Sequence, residues 1–416
     1  MESILPLLKA TQNAAIALRK LTDQQRADLL ISVSEKVFAN TARIIIENEK
    51  DLALMDDHDP KKDRLLLNET RIKGLVQSLK DIAALPDPTG EILLERTIEQ
   101  GLSLKKIAVP LGVVGVIYES RPNVTLDVAS LCLRSANACV LKGGKEAHFS
   151  NTFLVSLIHE CLAEAGVDTG AVTLLPTGRE FVQELLTATK YVDIIIPRGS
   201  ESLIKFVREN SRVPTIETGA GVCHTYVEKT GDLEKAAAIV VNAKVSRPSV
   251  CNSLDTVLLD QEIAEEFLPK IVADFIKWNV EIFADEASYE ILDHIGYPYL
   301  RQAQPDDFGR EFLDYKCSVK VVSGFDEALE HIRTYSSKHS EAIISANQEA
   351  IESFLNEVDA AAVYANASTR FTDGAVFALG AEIGISTQKL HARGPFALEK
   401  LVTEKWVVIG DGQVRW

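Results

Sequence analysis

From Val113 onward the sequence alternates short apolar runs with longer amphipathic ones, and this rhythm restricts the fold more than any single motif. Val113–Ile117, Ala138–Leu141, Val172–Leu175 and Ile194–Ile196 read as strands, and Thr125–Ser135, His148–Ala165 and Glu201–Glu209 as the helices between them. Strands joined through helices run parallel, with right-handed crossovers and both sheet faces covered. A second series predicts a second α/β domain without a convincing repeat of the first. It comprises strand Asp255–Leu259, helix Glu262–Trp278, strand Val319–Val322, helix Phe325–Thr334, strand Ala342–Ser345, helix Gln348–Val358 and strand Ala361–Tyr364. Ile295–Phe312, with Pro298, Pro305 and Gly309, reads as surface loop.

Parallel sheets bind ligands beyond the carboxyl ends of their strands. Three polar segments fall there: Glu119-Ser120-Arg121-Pro122-Asn123, Lys142-Gly143-Gly144-Lys145 and Pro197-Arg198-Gly199-Ser200. None is a GxGxxG fingerprint or a phosphate-binding P-loop, and each alone reads as an ordinary strand-to-helix turn. Their recurrence on one predicted sheet edge makes a binding edge of them.

The flanks differ. The first 85 or so residues read as packing helices, with Ile4, Leu7, Leu8, Ala14, Ala15 and Leu18 on one face and a capping box from Thr22 to Gln25. Glu91–Glu99, a Gln100-Gly101 turn and Leu102–Val109 predict a polar hairpin with little core of its own, which calls for a pairing partner. Trp406–Trp416 predicts a second strand-turn-strand around Gly410-Asp411-Gly412.

A chain of 416 residues, 46% hydrophobic and 25% charged, is globular and long enough for two or three domains. Its formal charge of −16 argues against a nucleic-acid or anionic-membrane surface, so an anionic ligand needs a local positive cluster. The six cysteines form no CxxC pair and no metal-ligand spacing with the eight histidines, so no metal is expected and they read as reduced thiols of a cytoplasmic protein. The N-terminus lacks signal-peptide character, and Pro110 and Gly112 interrupt the apolar run at Ile107–Tyr118 well short of a membrane span.

One cysteine stands apart. Cys251 lies in Ser246-Arg-Pro-Ser-Val-Cys-Asn-Ser253, where Pro248 ends the apolar helix Leu233–Val245 and forces Arg247 out of helical geometry. A thiolate attacks carbonyl carbon only when it is accessible and flanked by cations or dipoles, and this segment offers both. A cysteine of unspecified context is more often a small core residue. Cys223 and His224 also invite a nucleophilic reading, but adjacent strand residues point to opposite faces and cannot form a simple dyad.

Asn242–Asn252 resembles the active-site cysteine region of the gamma-glutamyl phosphate reductase family, a branch of the aldehyde dehydrogenase superfamily. The resemblance extends to residues 119–144, to 217–224, and to Asn366-Ala-Ser-Thr-Arg-Phe-Thr-Asp-Gly374 and Gly380-Ala-Glu-Ile-Gly-Ile-Ser-Thr-Gln-Lys-Leu-His-Ala-Arg-Gly-Pro395. Ser246, Ser253 and Asp255 depart from common choices in that family. The resemblance implies an aldehyde dehydrogenase-like α/β fold. A Rossmann-type NADP-binding domain would span 1–90, 111–223 and 366–400, a catalytic domain 224–365, and a small β oligomerisation arm 91–110 with 401–416. It implies NADPH-dependent reduction of L-glutamyl 5-phosphate to L-glutamate 5-semialdehyde and phosphate through a Cys251 thioacyl-enzyme, the second step of proline biosynthesis. The catalytic set would be Cys251 with Asn123 and the Cys251 N–H as oxyanion donors. Glu217 falls where hydrolytic relatives keep a base. Lys142, Gly143, Lys145, Gly199, Ser200 and Glu382 would bind cofactor. No acidic residue follows Leu141 to repel a 2′-phosphate, while Lys142, Lys145 and His148 are at hand, which favours NADP over NAD. Arg121, Arg247 and Arg370 would bind substrate, each having an ordinary ion pair as its alternative. A homo-oligomer is implied, and a functional association with glutamate 5-kinase is compatible with the family. The competing expectation is a hydrolytic NAD(P)-dependent aldehyde dehydrogenase using Glu217 as base, and a third is a silent binding protein that keeps the fold.

Overall fold

The computed structural model describes residues 3–56, 59, 62–379 and 381–415. Gly380 and Trp416, which fall in two of the segments quoted above, lie outside the described residues. The chain divides into two compact units. Unit 1 comprises Met1–Thr218, Ala378–Gly384 and Phe396–Trp416, and unit 2 comprises Gly219–Phe377 and Ile385–Pro395.

Unit 1 opens with α1 (Leu5–Leu18), α2 (Asp23–Ala39), α3 (Thr41–Ala53), α4 (Lys62–Leu65) and α5 (Glu69–Ala84). The capping box forms: the Gln25 N–H donates to Thr22 Oγ1 at 3.2 Å, and the Thr22 N–H to Gln25 Oε1 at 2.8 Å. Leu7, expected on the buried face of α1, is 41% exposed. That face centres instead on polar Thr11, whose hydroxyl bonds the Leu7 carbonyl and Thr173, which a count of apolar residues misses. Then follow β1 (Ile92–Thr97), β2 (Ser103–Pro110), β3 (Val113–Tyr118), α6 (Asn123–Arg134), β4 (Ala138–Gly143), α7 (His148–Glu164), β5 (Val172–Leu174), α8 (Glu180–Leu186), β6 (Ile194–Arg198) and α9 (Glu201–Asn210). The parallel sheet has the order β5-β4-β3-β6. Every residue of β3 and β4 is buried, as helices on both faces require. Only the short helix α8 lacks a counterpart in the sequence reading of this sheet.

Unit 2 contains β7 (Cys223–Val227), α10 (Leu233–Val245), β8 (Leu254–Asp260), α11 (Ala264–Lys277), β9 (Glu281–Ala284), α12 (Glu286–His294), β10 (Leu300–Gln302), β11 (Lys316–Val322), α13 (Phe325–Tyr335), β12 (Ser340–Ile344), α14 (Gln348–Glu357) and β13 (Ala362–Ala365). Its sheet is parallel, in the order β10-β9-β11-β8-β7-β12-β13. The expectation of a surface loop across 295–312 is corrected. Leu300–Gln302 pairs with β9 at the sheet edge, where backbone hydrogen bonding substitutes for apolar content. Further along, Phe312 is buried and stacks on Phe283 with ring centroids 5.2 Å apart.

The chain crosses back through β14 (Gly384–Ser386) and β15 (Gly394–Phe396), and ends in β16 (Val402–Ile409). The last strand gives the predicted hairpin its partner, in an antiparallel sheet ordered β1-β2-β16 within unit 1. The expected strand-turn-strand at Trp406–Trp416 is a single strand starting earlier, at Val402. Beyond it, Gln413 accepts the Asp411 N–H at 2.6 Å and donates to the Gln100 carbonyl at 3.0 Å, so this segment caps the β1–β2 turn instead of forming a strand.

Candidate active site

In unit 2, α10 stops at Val245 and residues 246–253 form an irregular loop before β8. Cys251 is partly exposed, and the other five cysteines are buried. The loop is held from several sides. A Cβ on Gly221 would come within 1.7 Å of the Cys251 carbonyl oxygen, so only glycine lets that backbone approach. The Cys223 thiol donates to the same oxygen at 3.3 Å. Asn252 donates to the Thr372 carbonyl at 2.8 Å, and its own carbonyl accepts the Thr369 hydroxyl at 2.8 Å. Residues 219–223 and 366–377, expected with the NADP-binding segments, cluster with unit 2. These close contacts with the Cys251 loop are the reason. Residues 385–395, also expected there, cluster with unit 2 as well.

Beneath the loop lies a buried charge pair that sequence reading did not single out. Lys244 is fully buried. Its ammonium donates to the carbonyls of Lys316 at 2.8 Å and Asp314 at 3.1 Å, and stands 3.8 Å from Asp255 Oδ1. Burial pushes the Asp255 carboxyl up to about 7, against the opposing pull of Lys244. Lys244 closes α10 and Asp255 opens β8, so the pair ties together the two stems of the cysteine loop. The signal for it was a lysine within an otherwise apolar helix end.

Two arginines converge at this loop. Arg370 donates from Nε to Ser246 Oγ at 3.0 Å, and from Nη1 to Asn252 Oδ1. Its guanidinium is held below the ordinary arginine range first by burial and next by the charge of Arg247, while Asp373 and then Cys251 act in the opposite sense. Two guanidiniums within electrostatic reach of each other and of the thiol repel one another, and an anion relieves that repulsion.

Cys223 is unsuited to attack. It is buried, its thiol is pushed well above its usual range mainly by burial, and the nearby His339, with Nδ1 3.8 Å from Sγ, is pushed down to about 4 by burial. His224 is engaged by Glu341, with Nδ1 3.0 Å from Oε2.

In unit 1 the three polar segments emerge from the carboxyl ends of the adjacent strands β3, β4 and β6. Lys142 is buried, which lowers its pKa, and its ammonium reaches the carbonyls of Gly143 and Thr177, each at 3.2 Å. A Cβ on Gly143 would lie 2.3 Å from Asn151 Nδ2. An open pocket of about 410 Å³ begins here, lined by Gly143, Gly144, His148, Thr152, Pro176 and Thr177 among others. Lys145 and His148 are exposed beside it. Ser200 caps α9, its oxygen accepting the Leu203 N–H at 3.4 Å, and its own N–H donates to Glu119 at 2.9 Å. Gly199 is closed in by Glu119 and Leu203, 2.6 and 2.8 Å from where a Cβ would be.

Arg121 follows Ser120, whose φ of 45° turns the chain sharply off β3. Asn123 begins α6 and donates from Nδ2 to Asp127 Oδ2 at 3.0 Å. Asp127, not anticipated from sequence, is pushed up to about 6 by burial, with Arg198 pulling down and Glu382 pushing up. Glu217 pairs with Arg208 at 3.5 Å. Among the described residues no group of His, Cys, Asp and Glu could hold a metal ion, and no helix is long and apolar enough to cross a membrane.

Comparison with known proteins agrees along the whole chain. The Aldehyde dehydrogenase family pattern matches residues 6–289. A gamma-glutamyl phosphate reductase of Legionella pneumophila (strain Paris) is 52% identical over 410 residues, covering 98% of both chains. That of Pelodictyon phaeoclathratiforme is 51% identical over 416 residues, covering 100% of this chain and 99% of its own. The crystal structure of the gamma-glutamyl phosphate reductase from Thermotoga maritima superposes with a TM-score of 0.94 at 40% identity, covering 100% of each chain. An acetylating aldehyde dehydrogenase from Geobacillus thermoglucosidasius, 17% identical with a TM-score of 0.69 over 99% of this chain and 97% of its own, shares the fold.

Proposed function

The chain belongs to the aldehyde dehydrogenase family, in its gamma-glutamyl phosphate reductase branch, and from that premise we propose that it reduces L-glutamyl 5-phosphate to L-glutamate 5-semialdehyde with NADPH, within proline biosynthesis. The observation that carries this reading is the convergence of Arg247 and Arg370 on the loop of the accessible Cys251. A simple aldehyde brings no anion to such a place. An acyl phosphate does, and on a chain of net charge −16 these paired cations are a local exception.

The Cys251 thiolate attacks the acyl carbon, and the C–O bond to phosphate breaks, leaving a thioester. Arg247 and Arg370 neutralise the departing phosphate or hold the substrate carboxylate, with Arg121 as a further substrate-binding cation. The Asn123 side chain and the Cys251 N–H donate to each tetrahedral oxyanion, each well-aimed donor contributing about 3 kcal/mol. After reduction the oxyanion collapses, the C–S bond breaks, and aldehyde and thiolate are regenerated. Glu217, engaged by Arg208, orients its surroundings and activates no water, because hydrolysis would destroy the thioester.

Family membership implies a nicotinamide cofactor, and the residues of unit 1 fit one. Gly143 and Thr177 line an open pocket, the Lys142 ammonium reaches the carbonyls of both, and Gly199-Ser200 opens a helix. Bound there, NADPH supplies the hydride. Lys142 and Glu382 would hold ribose hydroxyls, Gly199 and Ser200 the pyrophosphate, and Lys145 with His148 a 2′-phosphate, which supports NADP over NAD. The β1-β2-β16 sheet, with Ile92, Leu93, Trp406, Val408 and Ile409 exposed, is read as an arm for self-association.

The experiment is the reverse reaction: glutamate semialdehyde and NADP with and without inorganic phosphate, followed by NADPH absorbance. Phosphate-dependent NADPH formation is expected. Formation independent of phosphate would move the chain to the hydrolytic dehydrogenases, with Glu217 as base. In the same assay Arg247→Ala is expected to raise the KM for phosphate about tenfold, the equivalent of about 1.4 kcal/mol of lost ion pairing. An unchanged KM would remove Arg247 from the anion site.

A further inference from the structure

We propose that Asp127 is a positioning residue for the reduction, its carboxylate holding one N–H of the Asn123 amide so that the other is turned toward the oxyanion. The inference rests on the reading of Asn123 as an oxyanion donor and deepens it. Asn123 and Asp127 are four residues apart on α6, the spacing that stacks side chains on one helix face. The contact is a 3.0 Å hydrogen bond from Nδ2 to Oδ2.

The chemistry of the pair decides which way the amide faces. An ionised carboxylate only accepts, so it selects the nitrogen and rejects the carbonyl oxygen. Because the amide is planar and its NH₂ carries two hydrogens, fixing one fixes the direction of the other. Without Asp127 the side chain is able to turn half a revolution at little cost and present Oδ1, an acceptor, to an oxyanion that needs a donor. Asn123 is the first residue of its helix and partly exposed, so neighbouring side chains do not enclose it. A partner one turn down the helix supplies the missing constraint.

The surroundings keep this acceptor near its titration point. Burial raises the Asp127 carboxyl to about 6, while the hydrogen bond from Asn123 and the Arg198 guanidinium, at the end of β6, draw it down and the Glu382 carboxylate pushes it up. Among the described residues, Arg198 and Glu382 are the charged groups that act on it. Above that point Asp127 is ionised and the amide is held. Below it the protonated acid donates to Asn123 Oδ1 instead, and the selection is lost. Turnover therefore carries an acid limb near pH 6 that belongs to Asp127.

The test measures kcat and KM from pH 5 to 9 for the wild type, Asn123→Ala, Asp127→Ala, the near-isosteric Asp127→Asn and the double variant Asn123→Ala/Asp127→Ala. Asn123→Ala is expected to lower kcat by about 100-fold. Asp127→Ala is expected to lower it by about 10- to 100-fold, with the KM for glutamate semialdehyde within about twofold of wild type, since only the transition state loses a donor. The double variant is expected to be no slower than Asn123→Ala, because Asp127 acts through Asn123 alone. Asp127→Asn, which keeps the volume, is expected to fold normally and to lose the acid limb. A purely structural Asp127 would slow the double variant further and leave the acid limb in place, and either result overturns the proposal. Wild-type kcat in Asp127→Asn and Asp127→Ala, with Asn123→Ala still impaired, overturns it alone. Wild-type kcat in Asn123→Ala overturns the underlying reading of Asn123.

Discussion

Replacing Cys251 with alanine is expected to lower phosphate-dependent turnover by at least about 10⁴-fold, on the scale seen when a covalent nucleophile is removed from an otherwise intact site. The loss falls on kcat, because the side chain makes the bond on which every later step depends. The variant should also be a fair test of chemistry alone. The loop is held through the Cys251 carbonyl, approached by Gly221 and the Cys223 thiol, and through Asn252, which spans to Thr369 and Thr372. These contacts run through the backbone carbonyl of Cys251 and through Asn252, which the variant keeps, and an unchanged melting temperature is the control that the loop is intact. A folded Cys251→Ala protein that kept a tenth of wild-type turnover would end the thioacyl reading. Cys251→Ser should be nearly as inactive, since a serine hydroxyl ionises far less readily than a thiol and is the weaker nucleophile.

Lys244→Met is expected to destabilise unit 2 by about 3–5 kcal/mol, the range for breaking one side of a buried ion pair. Methionine replaces the volume of the stem but not the ammonium. Two buried carbonyls, of Asp314 and Lys316, lose a donor, and Asp255 loses the ammonium 3.8 Å away. Chemical denaturation reads the effect as a lower midpoint, and a loss under about 1 kcal/mol would show the pair to be inconsequential. Adding Asp255→Asn should recover part of the loss, because a neutral amide costs less to bury unpaired than a carboxylate does. Since the pair ties the stems of residues 246–253, the single variant should also blunt the reactivity of Cys251 toward iodoacetamide.

Both predictions turn on contacts that differ in how far the sequence reveals them. The parallel sheets were readable because most strands are apolar runs and most crossovers are amphipathic helices, so local pattern and tertiary placement agree. The exceptions are instructive. Leu300–Gln302 is a strand by virtue of backbone pairing at an edge, and one leucine followed by Arg301 and Gln302 is too short an apolar signal to read. The cysteine loop was readable because Pro248 follows an apolar helical run directly and opens a polar stretch, a context in which proline ends a helix. What supports the loop was not, because Gly221, Lys244 and Asp255 matter only once distant segments meet. Arg247 and Arg370 could be named individually, yet their mutual proximity depends on the path of 122 intervening residues, which no local spacing encodes. Asp127 was missed for a different reason. Its spacing from Asn123 was visible, but one acidic residue on a helix ordinarily reads as solvated.

The pairing of β2 with β16 places a delay into the making of this protein. Lys106 and its partner Glu404 are 298 residues apart, so one edge of the β1–β2 hairpin is complete long before the strand that covers it exists. At about 5–20 residues per second, a ribosome leaves that edge open for roughly 15–60 s. An uncovered strand edge is a template for pairing with another chain. Lys105 and Lys106 lie along β2, where their charge resists such pairing while the nascent chain waits. β16 thus closes a surface that the chain has had to guard from the moment β2 was made.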